Sequence, residues 1–349
     1  MRIAVIGSGI AGLSAAYLLS RRHQVTLFER ESRLGGHTNT VVVPRDGGCI
    51  ALDTGFIVHN HRTYPNLVRL FGELGVDTRP SDMSFSVSCA NRRLEYSSRG
   101  LSGFFAQAKQ LAAPSHYRLL RQIARFNRRA PETLNDPAYE GVTVRDYLRD
   151  QQFDALFADC YLLPITSAIW SASMDDVGRF PVSTIVRFLY NHGMLSIGTH
   201  PTWFVVEGGS HTYIPKIIAP LKSRVHCDAR LLAVRRHAAE VVLTFANREA
   251  LSFDHVVFAC HGDQVLPLLT DPSGQEHDVF SRFTTTANDV WLHTDASFLP
   301  ASPRARASWN YQVTTADAPP QVTYHLNRLQ SIDTVFATTL TGEAGRTNP

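Results

Sequence analysis

Residues 1–40 read MRIAVIGSGIAGLSAAYLLSRRHQVTLFERESRLGGHTNT, and this stretch decides the fold. The β-branched run Ile3–Ile6 predicts a buried parallel strand. A glycine-rich turn follows, and the spacing of apolar residues over Leu13–Ser20 predicts a helix. A second strand is predicted over Val25–Phe28 and ends at Glu29. The order strand, turn, helix, strand indicates an α/β fold built on a parallel sheet.

The turn has the spacing GxGxxG. Its residues are Gly7, Ser8, Gly9, Ile10, Ala11 and Gly12. In this motif the first glycine permits the turn, the second lets backbone approach a pyrophosphate, and the third lets the helix pack on the strand. Glu29 lies 17 residues after Gly12 (29 − 12), where a carboxylate can accept hydrogen bonds from ribose hydroxyls. The pattern therefore predicts a Rossmann-like, dinucleotide-binding domain. The alternative is a glycine-rich turn without a ligand.

The composition excludes several other classes of protein. The 349 residues carry a net charge of +3, which is too small to indicate nucleic-acid binding. The cysteines are Cys49, Cys89, Cys160, Cys227 and Cys260. None of them forms a CxxC pair, so neither a disulfide framework nor a zinc site is predicted. His59 and His61 have no acidic or cysteine partner at ligand spacing, so we expect no metal. The cysteine pattern indicates a reducing, intracellular compartment, so a cytoplasmic location is expected. No apolar run approaches the ~20 residues of a membrane span.

The residues after Glu29 distinguish NAD from FAD. The chain continues RESRLGGHTNT and, past a hairpin-like PRDGG, ALDTGFIVHN. Here it resembles the superfamily of FAD-dependent amine oxidases, protoporphyrinogen oxidases and phytoene desaturases. The resemblance implies that the cofactor is FAD. A plain NAD-dependent dehydrogenase is disfavoured, because it does not need the glycine pair that lets the chain pass close to a long cofactor.

The resemblance also implies cofactor contacts outside the glycine-rich turn. In the superfamily an arginine-x-glycine-glycine element follows the ribose-binding glutamate, and an aspartate-x-glycine element leads the backbone past the flavin. The residues assigned to these elements are Arg30, Arg33, Gly35, Gly36, His37, Thr38, Asp53, Thr54, Gly55 and Phe56. His37 stands where many members carry arginine. Arg33 is alternatively a surface ion-pair partner of Glu31. Leu231 either contacts the cofactor through its backbone or packs in the core.

A narrower resemblance covers residues from about 1 to 340. The phrases GFIVHNHRTYPNLVRLFGELGV and VTYHLNRLQ are similar to a bacterial family of FAD-binding oxidoreductases related to the flavoprotein portion of plant cyclopropane-fatty-acid synthases. It implies an FAD-dependent oxidoreductase that abstracts a hydride from a C–H bond, with a lipid acyl chain as the first substrate candidate. An oxidase of a small amine is the alternative, resting on fold analogy.

The C-terminal segment suggests a third alternative. The superfamily closes with a glycine-rich strand-to-helix element directed at the flavin. The final stretch of this chain, VFATTLTGEAGRTNP, has no such element, and its last residues, GEAGRTNP, read as a polar tail. We therefore expect a chain truncated relative to the superfamily, which leaves open an inactive FAD-binding or structural subunit.

Two domains are expected. The segments 1–80 and 203–268 are predicted to form a discontinuous FAD-binding domain. The segments 81–202 and 269–349 are predicted to form a substrate domain, with a helical insertion followed by antiparallel strands from Thr284 onward. Tyr324 and His325 either face the flavin or alternate in and out of that sheet.

Arginines recur on one face of the helix predicted around 115–127. They are Arg118, Arg121, Arg125 and Arg128. One interpretation is a solvated helix face. The other is peripheral contact with anionic lipid headgroups at the inner face of a membrane, which suits an acyl-chain substrate. The expected partners are a small-molecule or lipid substrate and no nucleic acid. The oligomeric state is left open.

Overall fold

A computed structural model describes residues 1–45, 47–195, 201–285, 287–313, 321–333 and 336–342. The chain divides into two compact units, each assembled from separate segments. Unit 1 comprises Met1–Ile57, Arg69–Thr78 and Val206–Thr286, and unit 2 comprises Val58–Val68, Arg79–Val205 and Ala287–Pro349.

The strands of the described residues are numbered in chain order. β1 to β9 are Arg2–Ile6, Gln24–Phe28, Thr40–Arg45, Gly48–Asp53, Val58–Asn60, Thr78–Ser81, Phe85–Cys89, Leu94–Ser97 and Trp203–Val206. β10 to β18 are Val225–His226, Leu231–Arg236, Val241–Phe245, Leu251–Phe253, His255–Phe258, Asn288–His293, Trp309–Val313, Gln321–His325 and Ala337–Gly342.

The α-helices are numbered in the same way. α1 to α7 are Ile10–Ser20, Pro65–Leu74, Gly100–Phe104, Pro114–Arg129, Val144–Asp150, Ala155–Phe157 and Leu163–Trp170. α8 to α13 are Met174–Gly178, Val182–Asn191, Tyr213–Ile218, Val265–Leu268, Gly274–Phe280 and Leu326–Leu329. Within the described part of the chain, every helix is too short or too polar to cross a bilayer.

Unit 1 contains a parallel sheet with the strand order β10-β2-β1-β14. Ile3 on the central strand β1 pairs with Val25 on one side and with His255 on the other. Leu13 and Ala16 of α1 are fully buried. Burial of a leucine side chain stabilises the fold by about 1.5–3 kcal/mol, so this apolar contact holds α1 in place. The predicted strand, turn, helix and strand of the N-terminus are confirmed.

Two antiparallel sheets complete unit 1. β3 and β4 pair antiparallel from Thr40↔Asp53 to Arg45↔Gly48, which confirms the predicted hairpin, although Asp46 at its tip lies outside the described residues. β11, β12 and β13 form a three-stranded antiparallel sheet. The hairpin places Asp53 at the end of β4.

Unit 2 is organised around a six-stranded sheet with the order β15-β18-β17-β16-β7-β8. The predicted antiparallel strands after Thr284 are confirmed, since β15, β16, β17 and β18 pair antiparallel in this sheet. β7 and β8 lie in the stretch that was predicted to be mostly helical, and β7 pairs with β16 in parallel. The alternation in FSVSC accounts for this difference, because it directs Val87 into the apolar core while Ser86 lies on the other face of the sheet.

Helices cover the apolar face of this sheet. Val87, Tyr311 and Val322 pack in one core with Leu119 and Phe126 of α4. β5 and β9 pair antiparallel elsewhere in the unit, with Val58 opposite Val205. The polar tail predicted for 342–349 lies outside the described residues apart from its first residue.

Candidate cofactor site

The glycine-rich turn predicted as the site lies at the carboxyl edge of the parallel sheet of unit 1. Gly7 follows β1 and donates its N–H to the carbonyl of Phe28 at the end of β2, at 2.8 Å. Ala259 follows β14 and donates its N–H to the carbonyl of Ile6, also at 2.8 Å. Because ligands of open parallel sheets bind beyond the carboxyl ends of the strands, this edge is the candidate site.

The three glycines of the turn meet different surroundings. Gly7 has φ +101°, a conformation that favours glycine. A Cβ on Gly12 would lie 1.9 Å from the carbonyl oxygen of Gly7, so only glycine lets α1 pack this closely on the turn. A Cβ on Gly9 would meet no protein atom within 4 Å. Gly9 therefore borders open space, which is the position that the motif reserves for a pyrophosphate.

The first turn of α1 offers hydrogen-bond donors to this space. The N–H of Leu13 donates to the carbonyl of Gly9 at 2.9 Å, and this bond begins the helix. The amides that precede it have no acceptor within the helix, as at any helix N-terminus. Ile10 and Ala11 are exposed. These free amides and the positive end of the helix dipole suit a phosphate group.

Glu29 is held against the turn. Its Oε2 accepts hydrogen bonds from the N–H of Ser8 at 2.8 Å and from the Ser8 hydroxyl at 2.5 Å. Its Oε1 accepts from the N–H of Glu31 at 2.9 Å. A carboxylate has about four acceptor positions, so these three bonds fix its orientation and leave capacity for a ligand hydroxyl. This arrangement fits the predicted ribose contact.

The second glycine pair lies directly on the first motif. The N–H of Gly35 donates to the carbonyl oxygen and to the hydroxyl of Ser8, both at 3.1 Å. Gly36 has φ +56°, and a Cβ there would lie 3.0 Å from the Cα of Gly9. The glycine pair therefore lets the backbone of this segment lie directly on the turn, while its predicted close passage along the cofactor stays a prediction. A side chain at Gly36 would press on the turn, and a Cβ on Gly35 would lie 2.7 Å from the carbonyl oxygen of Thr38.

The two arginines of this segment are both near the surface. Arg30 forms the ion pair with Glu31, at 3.0 Å. Arg33 is exposed, and its Nη1 lies 3.5 Å from the carbonyl oxygen of Thr38, which accepts a long hydrogen bond. The surface ion pair with Glu31 that was considered for Arg33 thus belongs to Arg30.

Asp53 is fully buried, and its carboxylate is bonded to protein donors. Oδ1 accepts hydrogen bonds from the Thr40 hydroxyl at 2.5 Å, from the N–H of Ser210 at 2.9 Å and from the Ser210 hydroxyl at 2.8 Å. Burial raises the pKa of Asp53, while these hydrogen bonds act in the opposite direction. The side chain that was assigned to the cofactor therefore fixes the turn that begins at Gly209, where φ is +95°.

The other assigned residues form a second layer around the turn. The N–H of Thr54 donates to the carbonyl of Asn39 at 2.9 Å, and the N–H of Phe56 donates to the carbonyl of His37 at 2.7 Å. A Cβ on Gly55 would lie 2.1 Å from the carbonyl oxygen of His37. The two elements predicted from the resemblance are therefore neighbours.

Leu231 lies apart from this layer. It begins β11, where it pairs with Phe245, and its N–H donates to the carbonyl of Ala229 at 2.9 Å. Its side chain is partly buried and packs against an apolar core of unit 1. These contacts agree with packing of Leu231 in the core, which was the alternative to a backbone contact with the cofactor.

Sequence reasoning missed three residues at this end of unit 1. The hydroxyls of Thr38 and Tyr213 are hydrogen-bonded to each other in the interior, and burial raises the pKa of Tyr213 to about 12. Ser210 binds Asp53, and the ring of His261 stacks on that of His37 with centroids 5.7 Å apart. The glycine pair before Ser210 is a signal for that turn, but no pattern in the sequence pointed to His261.

In unit 2, Tyr324 and His325 occupy adjacent positions at the end of β17, so their side chains point to opposite faces of the sheet. The Tyr324 ring lies 5.0 Å from that of Trp309, edge to face, and burial raises the pKa of Tyr324 to about 12. Burial, together with Arg328 and Arg306, lowers the pKa of His325 to about 4. The described residues of the chain contain no group of three or more side chains that could hold a metal ion.

Comparison with known proteins agrees with the geometry of unit 1. Residues 10–325 match the family of flavin containing amine oxidoreductases. An L-amino-acid oxidase from Pseudechis australis is 43% identical over 72 residues. That segment is 20% of this chain and only 14% of the other protein, so the likeness is local.

Solved structures share the fold over nearly the whole chain. A putrescine oxidase bound to putrescine superposes with a TM-score of 0.70 at 16% identity, covering 98% of this chain and 76% of the other. A CLA-producing fatty acid isomerase from P. acnes superposes with a TM-score of 0.64 at 14% identity, covering 100% of this chain and 78% of the other. At these identities the likeness concerns the fold alone.

The family match extends from the first turn of α1 to the end of β17, and the fold match with the putrescine oxidase covers 98% of this chain. The open space beside Gly9, the free amides of α1 and the fixed carboxylate of Glu29 fit a dinucleotide. The chain therefore belongs to the flavin containing amine oxidoreductases, an FAD-dependent oxidoreductase family.

Proposed function

We propose that this protein is an FAD-dependent oxidoreductase that removes a hydride from a C–H bond, with a lipid acyl chain as its first substrate candidate. The observation that carries the proposal is the open space beside Gly9, bordered by the amides of α1 and by Glu29. When bound, FAD would supply the hydride acceptor, and the protein would supply binding, orientation and electrostatics.

The residues of unit 1 have distinct tasks in this proposal. The amides of Ile10 and Ala11 bind the pyrophosphate, and Glu29 accepts a hydrogen bond from a ribose hydroxyl. Gly36 allows the segment after β2 to lie on the turn. Asp53 acts indirectly, because it fixes Thr40 and Ser210 behind the site. Since the flavin carries the redox chemistry, no acid–base side chain is assigned.

The substrate class rests on similarity. The resemblance to the flavoprotein portion of plant cyclopropane-fatty-acid synthases favours an acyl chain, and a structure with the same fold is a fatty acid isomerase. The second candidate is a small amine, which the putrescine oxidase with the same fold favours.

The first test is the visible spectrum of the purified protein. We expect absorption bands at about 370 and 450 nm, as for bound flavin in general. FAD should be the chromophore that is released on denaturation. Glu29→Ala should lower the FAD content, whereas Glu31→Ala, which changes an exposed carboxylate two residues away, should not. A colourless protein that cannot be reconstituted with FAD contradicts the proposal.

The second test separates the substrate classes. Under anaerobic conditions, bleaching of the 450 nm band by a phospholipid or free fatty acid, and not by putrescine, supports the acyl-chain proposal (bleaching reports flavin reduction). Bleaching by the amine alone supports the second candidate and overturns the first. Stable FAD binding with no bleaching by either class identifies an FAD-binding subunit without this oxidase activity.

A further inference from the structure

We propose that unit 2 binds the surface of an anionic lipid bilayer through α3, the 3₁₀ turn Ala108–Ala112 and the first half of α4. This region carries exposed apolar side chains together with positive charge. We call it the 101–121 surface and define it by Leu101, Lys109, Leu111, Tyr117 and Arg121. The proposal concerns location and is independent of the reaction proposed above.

The apolar part of the surface consists of exposed side chains on neighbouring elements. Leu101, Leu111 and Tyr117 are 70%, 60% and 49% exposed. The N–H of Phe105 donates to the carbonyl of Leu101, and the rings of Phe105 and Tyr117 lie 5.2 Å apart. The Tyr117 hydroxyl donates to the carbonyl of Leu111 at 2.9 Å. These contacts bring the three residues close together on the surface of unit 2.

The patch has a rigid base. Next to Tyr117 on α4, the His116 ring stacks on that of Phe104 at 4.2 Å and is buried. The buried Gln110 donates to the carbonyl of Glu95 at 2.7 Å, which ties the 3₁₀ turn to β8. The exposed leucines are therefore presented on ordered backbone that is anchored from below.

The charge of the surrounding segment has one sign. From Tyr96 to Pro131 the sequence contains seven lysine and arginine residues and no aspartate or glutamate. Carboxylates from other segments pair with two of the seven, since Asp82 lies 3.7 Å from Arg99 and Asp154 lies 2.8 Å from Arg118. Lys109 and Arg121 are exposed beside the apolar patch. Leucine and tyrosine rimmed by cations are complementary to an anionic bilayer interface, which offers both acyl chains and phosphate.

This surface differs from the arginine face expected from the sequence. Besides the ion pair of Arg118, the Arg125 guanidinium lies 4.1 Å from the centroid of the Phe153 ring and donates to the carbonyl of Gln151 at 2.9 Å. Two of the four predicted arginines are thus engaged inside unit 2. Arg121 and Arg128 stay exposed, and Arg121 lies nearest in sequence to the apolar patch.

The experiment is co-sedimentation of the FAD-loaded protein with vesicles. We expect binding to vesicles of phosphatidylcholine with 30% phosphatidylglycerol and at least ~tenfold weaker binding to pure phosphatidylcholine. The difference in affinity should shrink at high salt, because salt screens the attraction between the cations and the anionic lipid. The double variant Leu111→Ser/Arg121→Glu should lose at least tenfold in affinity for the anionic vesicles (~1.4 kcal/mol per decade). Equal binding to neutral and anionic vesicles, or none to either, overturns the proposal.

The matched control is Leu232→Ser/Arg235→Glu on β11, which alters an exposed leucine of similar exposure, 57%, and an exposed arginine in unit 1. It should bind vesicles like the wild type, and an equal loss in the control overturns the assignment of the surface. Should the test variant fail to fold, Leu111→Cys with an environment-sensitive fluorophore provides the second measurement. A blue shift with anionic vesicles supports insertion. A shift with heparin instead of vesicles identifies a general polyanion surface and overturns the lipid proposal.

Discussion

Gly36 lies directly against Gly9 at the candidate site, where a Cβ on Gly36 would be 3.0 Å from the Cα of Gly9. The two glycines belong to motifs that are separated by α1 and β2 in the sequence. Their contact means that the second glycine pair packs directly on the first motif, next to the open space at Gly9.

The contact predicts that Gly36→Ala weakens FAD binding. The new methyl group would press on Gly9, and the φ of +56° would cost alanine about 1–2 kcal/mol. We expect at least a tenfold loss of FAD affinity, measured by titration of the apoprotein. The control is Gly72→Ala, since a Cβ there meets no atom within 4 Å and lies within α2. It should leave FAD affinity unchanged and add about 0.4–1 kcal/mol of stability. Equal FAD affinity in both variants contradicts the prediction.

Gly9 and Gly12 should respond differently to substitution. Gly9→Val places its side chain in open space, so the thermal stability of the apoprotein should stay unchanged while FAD retention is abolished. Gly12→Ala places a methyl group 1.9 Å from the Gly7 carbonyl, so it should destabilise the apoprotein itself by about 1–3 kcal/mol. Thermal denaturation and the FAD-to-protein ratio distinguish the two effects. Normal FAD content in Gly9→Val would sink the assignment of the open space.

The bonds of Asp53 predict a structural role for its carboxylate. Asp53→Ala leaves buried donors of Thr40 and Ser210 without an acceptor and should lower the free energy of unfolding by about 2–3 kcal/mol. Asp53→Asn retains one oxygen and should cost less. The exposed Asp254 accepts a bond from the N–H of Arg2 and serves as the control, with an expected loss below about 1 kcal/mol for Asp254→Ala. Urea denaturation measures all three, and an equal cost for Ala and Asn at position 53 argues against the hydrogen-bond account.

The raised pKa of Asp53 also predicts how the stability of the protein changes with pH. Burial favours the neutral carboxyl of Asp53 in the folded state and so raises its pKa there. The resulting contribution to the free energy of unfolding is fully present below the pKa of the unfolded chain, and it is lost as the pH rises through the pKa of the folded protein. The stability gap between wild type and Asp53→Asn should therefore narrow as the pH rises above about 4. A gap that widens over that range would show that the hydrogen bonds to the carboxylate outweigh its burial.

His325 predicts a loss of stability in mild acid. Its pKa is lowered from 6.5 to about 4 by burial and by two arginines, so the unfolded chain binds the proton first as the pH falls below 6.5. Stability should fall between pH 6.5 and 4 by at most about 3 kcal/mol from this group. His325→Gln should reduce the difference in unfolding free energy between pH 7 and 4.5, whereas His277→Gln on an exposed turn of α12 should leave it unchanged. The same pH dependence in all three proteins would refute the assignment to His325.

The first forty residues could be predicted closely because their structure is local. Strand, turn and helix each have a short-range pattern, and the glycines mark where backbone passes backbone. The partners of Asp53 could not be predicted, because Ser210 lies 157 residues away and nothing in either segment records the pairing. The contacts of the arginines on α4 could not be predicted either, because Asp154 and Phe153 reach this helix through tertiary packing. The parallel pairing of β7 with β16 joins residues such as Ser86 and Asn310, which are 224 positions apart.

The central sheet of unit 1 places a condition on the synthesis of the protein. β1 is synthesised about 250 residues before its neighbour β14, which ends at Phe258 and is followed by Ala259, the surface on which Gly7 and Gly12 rest. While the residues between β1 and β14 are being synthesised, the nascent chain therefore carries a hydrophobic strand with one unpaired edge. Such edges promote aggregation, and pairing between segments this distant in sequence is slow. We expect production of this protein in a heterologous host to depend on chaperones that bind nascent chains, and fragments ending before residue 255 to accumulate as insoluble material.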